Sequence, residues 1–161
     1  MTKGSPTERP TLSGADIGLL LLRLGLGVIF VAHGGQKLFG WWGGRGLAAT
    51  VQGFETGLGI PAPLAYLAVF TEFFGGLAVL VGLLARLASL GLGITMVVAM
   101  AKVHLANGFF LANPSKPDAG SGIEFNLALL AMSLAVLLAG PGRLAIADLE
   151  PRLLRRGSKT T

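Results

Sequence analysis

Residues 17–39 read IGLLLLRLGLGVIFVAHGGQKLF, and how this stretch is read decides the fold. It is apolar enough and long enough to cross the ~30 Å hydrocarbon core of a bilayer as one helix, at about 1.5 Å per residue. It stops at Gly40-Trp41-Trp42-Gly43-Gly44, where glycines break the helix and the tryptophans suit the headgroup belt. The same stretch nevertheless carries Arg23, His33, Gln36 and Lys37. A charge near the bilayer centre costs at least about 2.5–3.5 kcal/mol on insertion scales, so such groups pair, line a wet cavity, or serve a substrate or proton path.

Working outward, three further apolar runs follow. Arg45 to Ile60 is half polar and glycine-rich, and reads as an interfacial loop with a short helix that lays Phe54 and Leu58 on the membrane surface. Pro61-Ala62-Pro63 then opens a second span, because proline is tolerated in a first helical turn. The turn after it is so short that the second and third spans form an antiparallel hairpin. A loop rich in Pro, Gly, Asp and Ser, Asn113 to Gly122, precedes a fourth span that stops at Gly140-Pro141-Gly142. The expectation is an all-α polytopic membrane protein, an antiparallel bundle of four transmembrane helices at about 17–39, 63–84, 87–106 and 123–139. These helices form a membrane domain over 15–149, between a polar lead at 1–14 and a basic tail at 150–161.

Composition agrees. The chain has 161 residues, of which 52% are hydrophobic and only 13% charged, about half the charge of a typical soluble domain, and the mean hydropathy is +0.70. That length holds four spans and no separate soluble domain. The first run lacks a small-residue cleavage site and reads as a retained helix. Lys3, Arg9, Arg86, Arg143, Arg152, Arg155, Arg156 and Lys159 flank one side of the spans, whereas Arg45 and Lys116 flank the other. The positive-inside rule therefore places both termini in the cytoplasm. That bias, together with anionic lipid headgroups, accounts for the net charge of +5, so the basic balance is no argument for a nucleic-acid partner. With no cysteine there is no disulfide, thiolate metal site or thiol redox pair, and any redox chemistry must come from a bound cofactor or a partner.

With the termini inside, His33, Lys37, Lys102, His104, Glu124 and Asn126 fall in the outer third of the bundle. Glu72 lies roughly 14 Å below the outer start of its helix, at 1.5 Å per residue. On a helical wheel Arg23, Phe30, His33 and Lys37 span an arc of roughly 80° at 100° per residue. Arg23 therefore has two readings: it snorkels to the near headgroups, or it faces the bundle and extends toward Glu72. Lys102 and His104 are two residues apart, as are Glu124 and Asn126, so one member of each pair points inward. The most economical cluster joins His33, Lys37 and Glu72 with Lys102 and Glu124, two lysines balanced by two carboxylates. His33, Lys37 and Glu72 are the candidate catalytic groups and all five are candidates for holding a cofactor; no metal site is evident. Structural ion pairs that fix helix register are the alternative reading. A haem held by His33 and His104 is geometrically allowed and less favoured. Leu24-Gly25-Leu26-Gly27-Val28 resembles Leu90-Gly91-Leu92-Gly93-Ile94, through a duplicated hairpin or through chance.

Arg23 with Gly25, Gly27 and Phe30, then His33-Gly34-Gly35-Gln36-Lys37-Leu38, Thr71-Glu72-Phe73-Phe74-Gly75-Gly76 with Gly82, and the close Gly140-Pro141-Gly142-Arg143 with Asp148, resemble the DoxX family over about residues 16–149. The resemblance implies a four-helix bundle in the bacterial cytoplasmic membrane. It also implies kinship with the DoxD subunit of thiosulfate:quinone oxidoreductase and with membrane partners of redox-stress enzymes. The cluster beside glycines and Phe30, Phe39, Phe73 and Phe74 then points to a membrane subunit of a redox complex that interacts with quinone. His33 or Lys37 would donate to a ring carbonyl, and Glu72 would relay the accompanying proton. The alternatives are a membrane anchor or scaffold for a soluble oxidoreductase and, less favoured, a small proton-coupled transporter.

Overall fold

A computed structural model describes residues 12–112 and 120–146. The polar lead before residue 12, Lys116, Asp148 and the basic tail lie outside the described residues. Among those described, the chain is all-helical, without a strand.

Helix α1 runs Gly14–Phe39, three residues longer at its start than the apolar pattern predicts. The cause is a capping box: the Ser13 hydroxyl accepts from the Asp16 backbone N–H at 3.2 Å, and the Ser13 N–H donates back to the Asp16 carboxylate at 3.0 Å. Gly40, left-handed at φ 75°, ends the helix, and a single 3₁₀ turn at Trp41–Gly43 stacks Trp41 on Phe39, centroids 4.9 Å apart. The short helix expected in the following segment is α2, Gly46–Leu58. Helix α3, Ala62–Val81, opens on the Pro61–Pro63 turn and widens to a π-helical turn at Thr71–Gly75. Helix α4, Ala85–Asn107, has a second π turn at Met100–His104 and tightens to 3₁₀ at its end. Helix α5 is Glu124–Ala139.

Three of these helices, α1, α3 and α4, are long and apolar enough to cross a membrane. The 16 residues of α5 make a rod of about 24 Å, shorter than a typical hydrocarbon core of ~30 Å. Side chains such as Leu21, Val28, Leu67, Leu87, Ile94 and Leu138 are exposed on the outside of the bundle, as lipid contact requires. The core is correspondingly modest: Leu26, Phe30, Val79, Ala85, Leu92, Met96, Leu129 and Val136. In lipid the attraction between helices comes from close packing and polar contacts rather than from apolar burial, and small residues carry it. A Cβ on Gly27 would lie 2.9 Å from the Gly76 carbonyl, and one on Gly76 would lie 2.9 Å from the Val31 nitrogen. The glycines thus let the α1 and α3 backbones touch.

Arg23 faces the bundle rather than the headgroups, but it does not extend toward Glu72. Its side chain is 1% exposed and turns to the end of α3, where Nε donates to the Val79 carbonyl at 2.9 Å and Nη2 to Leu80 at 3.1 Å. Nη1 donates to the Pro141 carbonyl at 2.6 Å, just beyond α5. The last carbonyls of a helix lack intrahelical donors, and a guanidinium fork supplies several at once while meeting the negative end of the helix dipole. Arg86 does the same for α5, donating to Leu137 and Leu138 at 2.8 and 2.9 Å. Asp16 lies at that end too, accepting from the Arg143 backbone N–H at 3.3 Å.

Candidate functional site

At the tryptophan end the chain places a carboxylate against an amine. Glu72 lies in the π turn of α3 and is 3% exposed. Lys37, in the last turn of α1, brings Nζ to 2.5 Å from both carboxylate oxygens. Glycine makes this possible: a Cβ on Gly34 would fall 2.5 Å from the Phe73 nitrogen and 2.6 Å from its Cα, so α1 rests on the α3 backbone beside Glu72. Lys37 sits one turn further on the same face. Helix α2 covers the pair, with the Phe54 ring centroid 5.9 Å from Nζ and the Thr50 hydroxyl donating to the Lys37 carbonyl at 3.4 Å. The pair has zero net charge and is half sheltered, which is how an ionised carboxylate is held at this depth.

Beside it is a cavity of about 390 Å³, within the size range of small-molecule sites. Its walls are Ile29, Phe30, Met96, Ala99, Phe125 and Leu129, and its polar groups are His33, Lys37, Glu72, His104, Ser121 and Asn126. His33 is at the edge of the buried face of α1, as its wheel position predicts, and its ring lies 6.4 Å from that of Phe125 at 51°. Among the described residues no hydrogen bond holds its imidazole. His104 Nδ1 lies 2.7 Å from the Ser121 carbonyl. A carbonyl only accepts, so Nδ1 carries the proton, and in the neutral ring Nε2 is an acceptor. Asn126 is 6% exposed and donates weakly to Met96 Sδ at 3.5 Å.

Of the five residues singled out in the sequence, the cavity gathers His33, Lys37 and Glu72. Lys102 and Glu124 do not line it; their partners in each pair, His104 and Asn126, do. For α4 the reason is the π turn at Met100–His104, which turns the helix by less per residue than the 100° of the wheel and leaves Lys102 on the exposed side. Glu124 opens α5 and is spent on the preceding loop: its carboxylate accepts from the Leu111 backbone N–H at 2.5 Å. The described ends of that loop are held by hydrogen bonds. Gly122 and Glu124 donate to the carbonyls of Phe110 and Phe109 at 3.0 and 2.9 Å, and Asn107 Nδ2 donates to Ser121 at 3.1 Å. The result is a strap that carries Leu111, Ser121 and Gly122 over the cavity. The only hint in the sequence is the glutamate at a helix start facing a run of unpaired loop amides.

Known proteins resemble this chain. The family model described as DoxX matches residues 18–105. The Bacillus subtilis protein named "Putative oxidoreductase CatD" is 31% identical over 131 residues, 81% of this chain and 85% of that protein. The Escherichia coli protein named "Inner membrane protein YqjF" is 28% identical over 134 residues, 81% of this chain and 90% of that protein. No solved structure matches the chain.

Proposed function

The chain belongs to the DoxX family of membrane proteins, and from that premise we propose that it is a subunit of a redox system in the bacterial inner membrane whose cavity receives the headgroup of a quinone. The observation that carries the reading is the composition of the cavity. Aromatic and aliphatic walls from Phe30, Phe125, Ile29 and Leu129 surround uncharged hydrogen-bonding groups and one self-neutralised ion pair. A flat, uncharged ring with two polar edges needs that mixture, and a charged substrate would not find a counter-charge that is free.

A bound quinone would supply the electron-carrying chemistry that this cysteine-free chain lacks. The chain's own groups would orient it and manage its protons. His33, whose imidazole is free to donate, would hold one ring oxygen, and Lys37 is the second donor. Glu72 would take or release the proton that accompanies reduction, with Lys37 Nζ 2.5 Å away as its charge partner. The name of the Bacillus relative supports a redox role, and that of the Escherichia relative supports the location.

We place four spans in the membrane. Helix α5 makes the fourth, lengthened by the strap before it and by Gly140–Pro141, both buried, after it. Both termini are cytoplasmic in this arrangement, because Arg23, Arg86 and Arg143 gather at the end opposite Trp41 and Trp42.

The test is to purify the protein in mild detergent, record its absorption with and without reductant, and extract the same sample for quinone. Quinone present in the wild type and lost in Glu72→Gln or His33→Ala is the expected result. A colourless, quinone-free protein would instead favour the reading in which the chain anchors a soluble oxidoreductase, and a reducible Soret band would replace quinone with haem.

A further inference from the structure

Buried polar side chains in this bundle are mostly satisfied by the protein itself. Arg23 donates to the carbonyls at the end of α3, Glu72 accepts from Lys37, and the Ser133 hydroxyl donates to the Leu129 carbonyl at 2.8 Å. Asn126 differs. It lies in the first turn of α5, is 6% exposed and lines the cavity. Its side chain's one hydrogen bond among the described residues runs from Nδ2 to Met96 Sδ, 3.5 Å away. A thioether is a weak acceptor, so this bond replaces little of the hydration that the amide loses on burial. It does fix which way the amide points, because the nitrogen has a proton to give to sulfur and the oxygen has none. Oδ1 is left as an acceptor without a partner among the described residues. Ser89 Oγ also lacks a partner, but Ser89 is not part of the cavity wall. A second acceptor comes from α4: His104 gives its Nδ1 proton to the Ser121 carbonyl at 2.7 Å, which leaves Nε2 with a lone pair. Both oxygens of Glu72 already accept from Lys37. What the cavity still calls for is a ligand that donates.

We infer that Asn126 is a specificity-determining residue that makes this cavity a site for the reduced ring, with Oδ1 accepting from a hydroxyl of a hydroquinone and His104 Nε2 as the second acceptor. The inference rests on the reading of the cavity as a quinone headgroup site. It adds the redox state that is held more tightly and the atom that selects it. A quinone brings two carbonyl oxygens, which only accept, whereas its two-electron-reduced form brings two hydroxyls, which donate as well as accept. A carbonyl set against Oδ1 opposes two acceptors and leaves the buried amide unpaired; a hydroxyl pairs it. A site built to hydrogen-bond a hydroxyl rejects the analogue that lacks the proton, because its own buried polar atoms are then unsatisfied. His33 keeps its part as a donor, since a hydroxyl oxygen still accepts. Tighter holding of the reduced ring also makes the bound couple easier to reduce than the same couple free in the bilayer, so the site favours the arrival of electrons on the ring over their departure.

The experiment compares two probes, a decyl-tailed benzoquinone and its hydroquinone kept reduced without oxygen, on the full chain in lipid nanodiscs, with binding taken as the excess over empty nanodiscs. It is made on the wild type and on Asn126→Leu, which keeps the volume and removes the acceptor. Ser133→Ala is the control, since it removes a buried hydroxyl of the same helix that is not part of the cavity wall. The expected result is that the wild type holds the hydroquinone about tenfold or more tightly than the quinone; tenfold corresponds to ~1.4 kcal/mol. Asn126→Leu should weaken the hydroquinone to the level of the quinone and hold the quinone as before, while Ser133→Ala keeps the wild-type preference. Equal binding of the two forms by the wild type, or tighter binding of the quinone, would overturn the inference and leave the headgroup site standing, whether or not the variant folds. An Asn126→Leu protein that loses both forms alike, or that retains the preference, would overturn it too, because a residue that only supports the helix does not tell the two forms apart. Failure of both forms to bind the wild type would remove the headgroup reading and this inference with it.

Discussion

At the scale of single residues, the polar groups divide by what they hold. Lys37 and Glu72 hold each other, and the pair is worth most as a unit. Breaking one partner leaves a buried charge, a cost of about 3–5 kcal/mol, whereas removing both is close to neutral. Lys37→Met should therefore lower the thermal unfolding midpoint in detergent more than the double variant Lys37→Met with Glu72→Gln; additive losses in the two single variants would contradict this. Arg23 holds backbone instead. Hydrogen bonds from a charged donor contribute about 1.5–3 kcal/mol each, and three carbonyls within 3.1 Å depend on this one guanidinium. Arg23→Lys keeps the charge but loses the fork, so it should destabilise nearly as much as Arg23→Ala, by at least about 3 kcal/mol in a denaturant or thermal series. The sequence showed that Arg23 was expensive without showing its purpose, because the acceptors are main-chain atoms that leave no signature in the pattern of side chains. His33, Lys37 and Glu72 were legible because ionisable groups are costly in apolar runs, and an amine and a carboxylate offset that cost best by meeting.

At the scale of elements, the helices were legible and their irregularities were not. Proline at 61 and 63, glycine at 40 and 82, and unbroken apolar runs set the bounds of α1, α3 and α4 to within a few residues. The π turns in α3 and α4 arise from packing against neighbours, and a wheel drawn at a fixed angle passes over them. Balancing two lysines against two carboxylates therefore puts Lys102 in the cluster, where the cavity takes His104. The two LGLG runs gain meaning once burial is known: Leu26 and Gly27 are buried in α1 as Leu92 and Gly93 are in α4. Each of these helices also carries the arginine that caps the helix returning beside it, so the two hairpins follow one plan. The glycines are unequal, which gives a prediction. Gly34→Ala meets the Phe73 backbone within 2.6 Å, whereas Gly25→Ala meets only the flexible end of Met132 at 3.6 Å. The first should separate α1 from α3, weaken the Lys37–Glu72 pair and lower the unfolding midpoint by several degrees. The second should leave it unchanged, and equal effects would argue against close backbone contact as the use of these glycines.

At the scale of the whole molecule, the absence of cysteine from the sequence makes the proposed topology easy to test. Gly57→Cys adds a side chain into open space beyond α2, and Leu83→Cys lies in the exposed turn between α3 and α4. In intact cells an impermeant maleimide should label the first and leave the second unlabelled until the membrane is opened; the reverse pattern would invert the protein. The bundle as a whole was legible from hydropathy alone, whereas its closure at the arginine end was not. That closure also sets an order of events in biosynthesis. Arg23 emerges from the ribosome early, but the Pro141 carbonyl that it binds lies 118 residues later, and the Ile146 N–H that donates to Val81 at 3.0 Å comes later still. Until the end of the chain is made, the first helix sits in the bilayer with a cation only partly satisfied. A chain terminated after Ala139 would keep every apolar helix and still lack the donor and acceptors that lock them, and it should be cleared by membrane proteases within minutes while the full chain persists. The arginine thus ties the first helix to the completion of the chain's last turn.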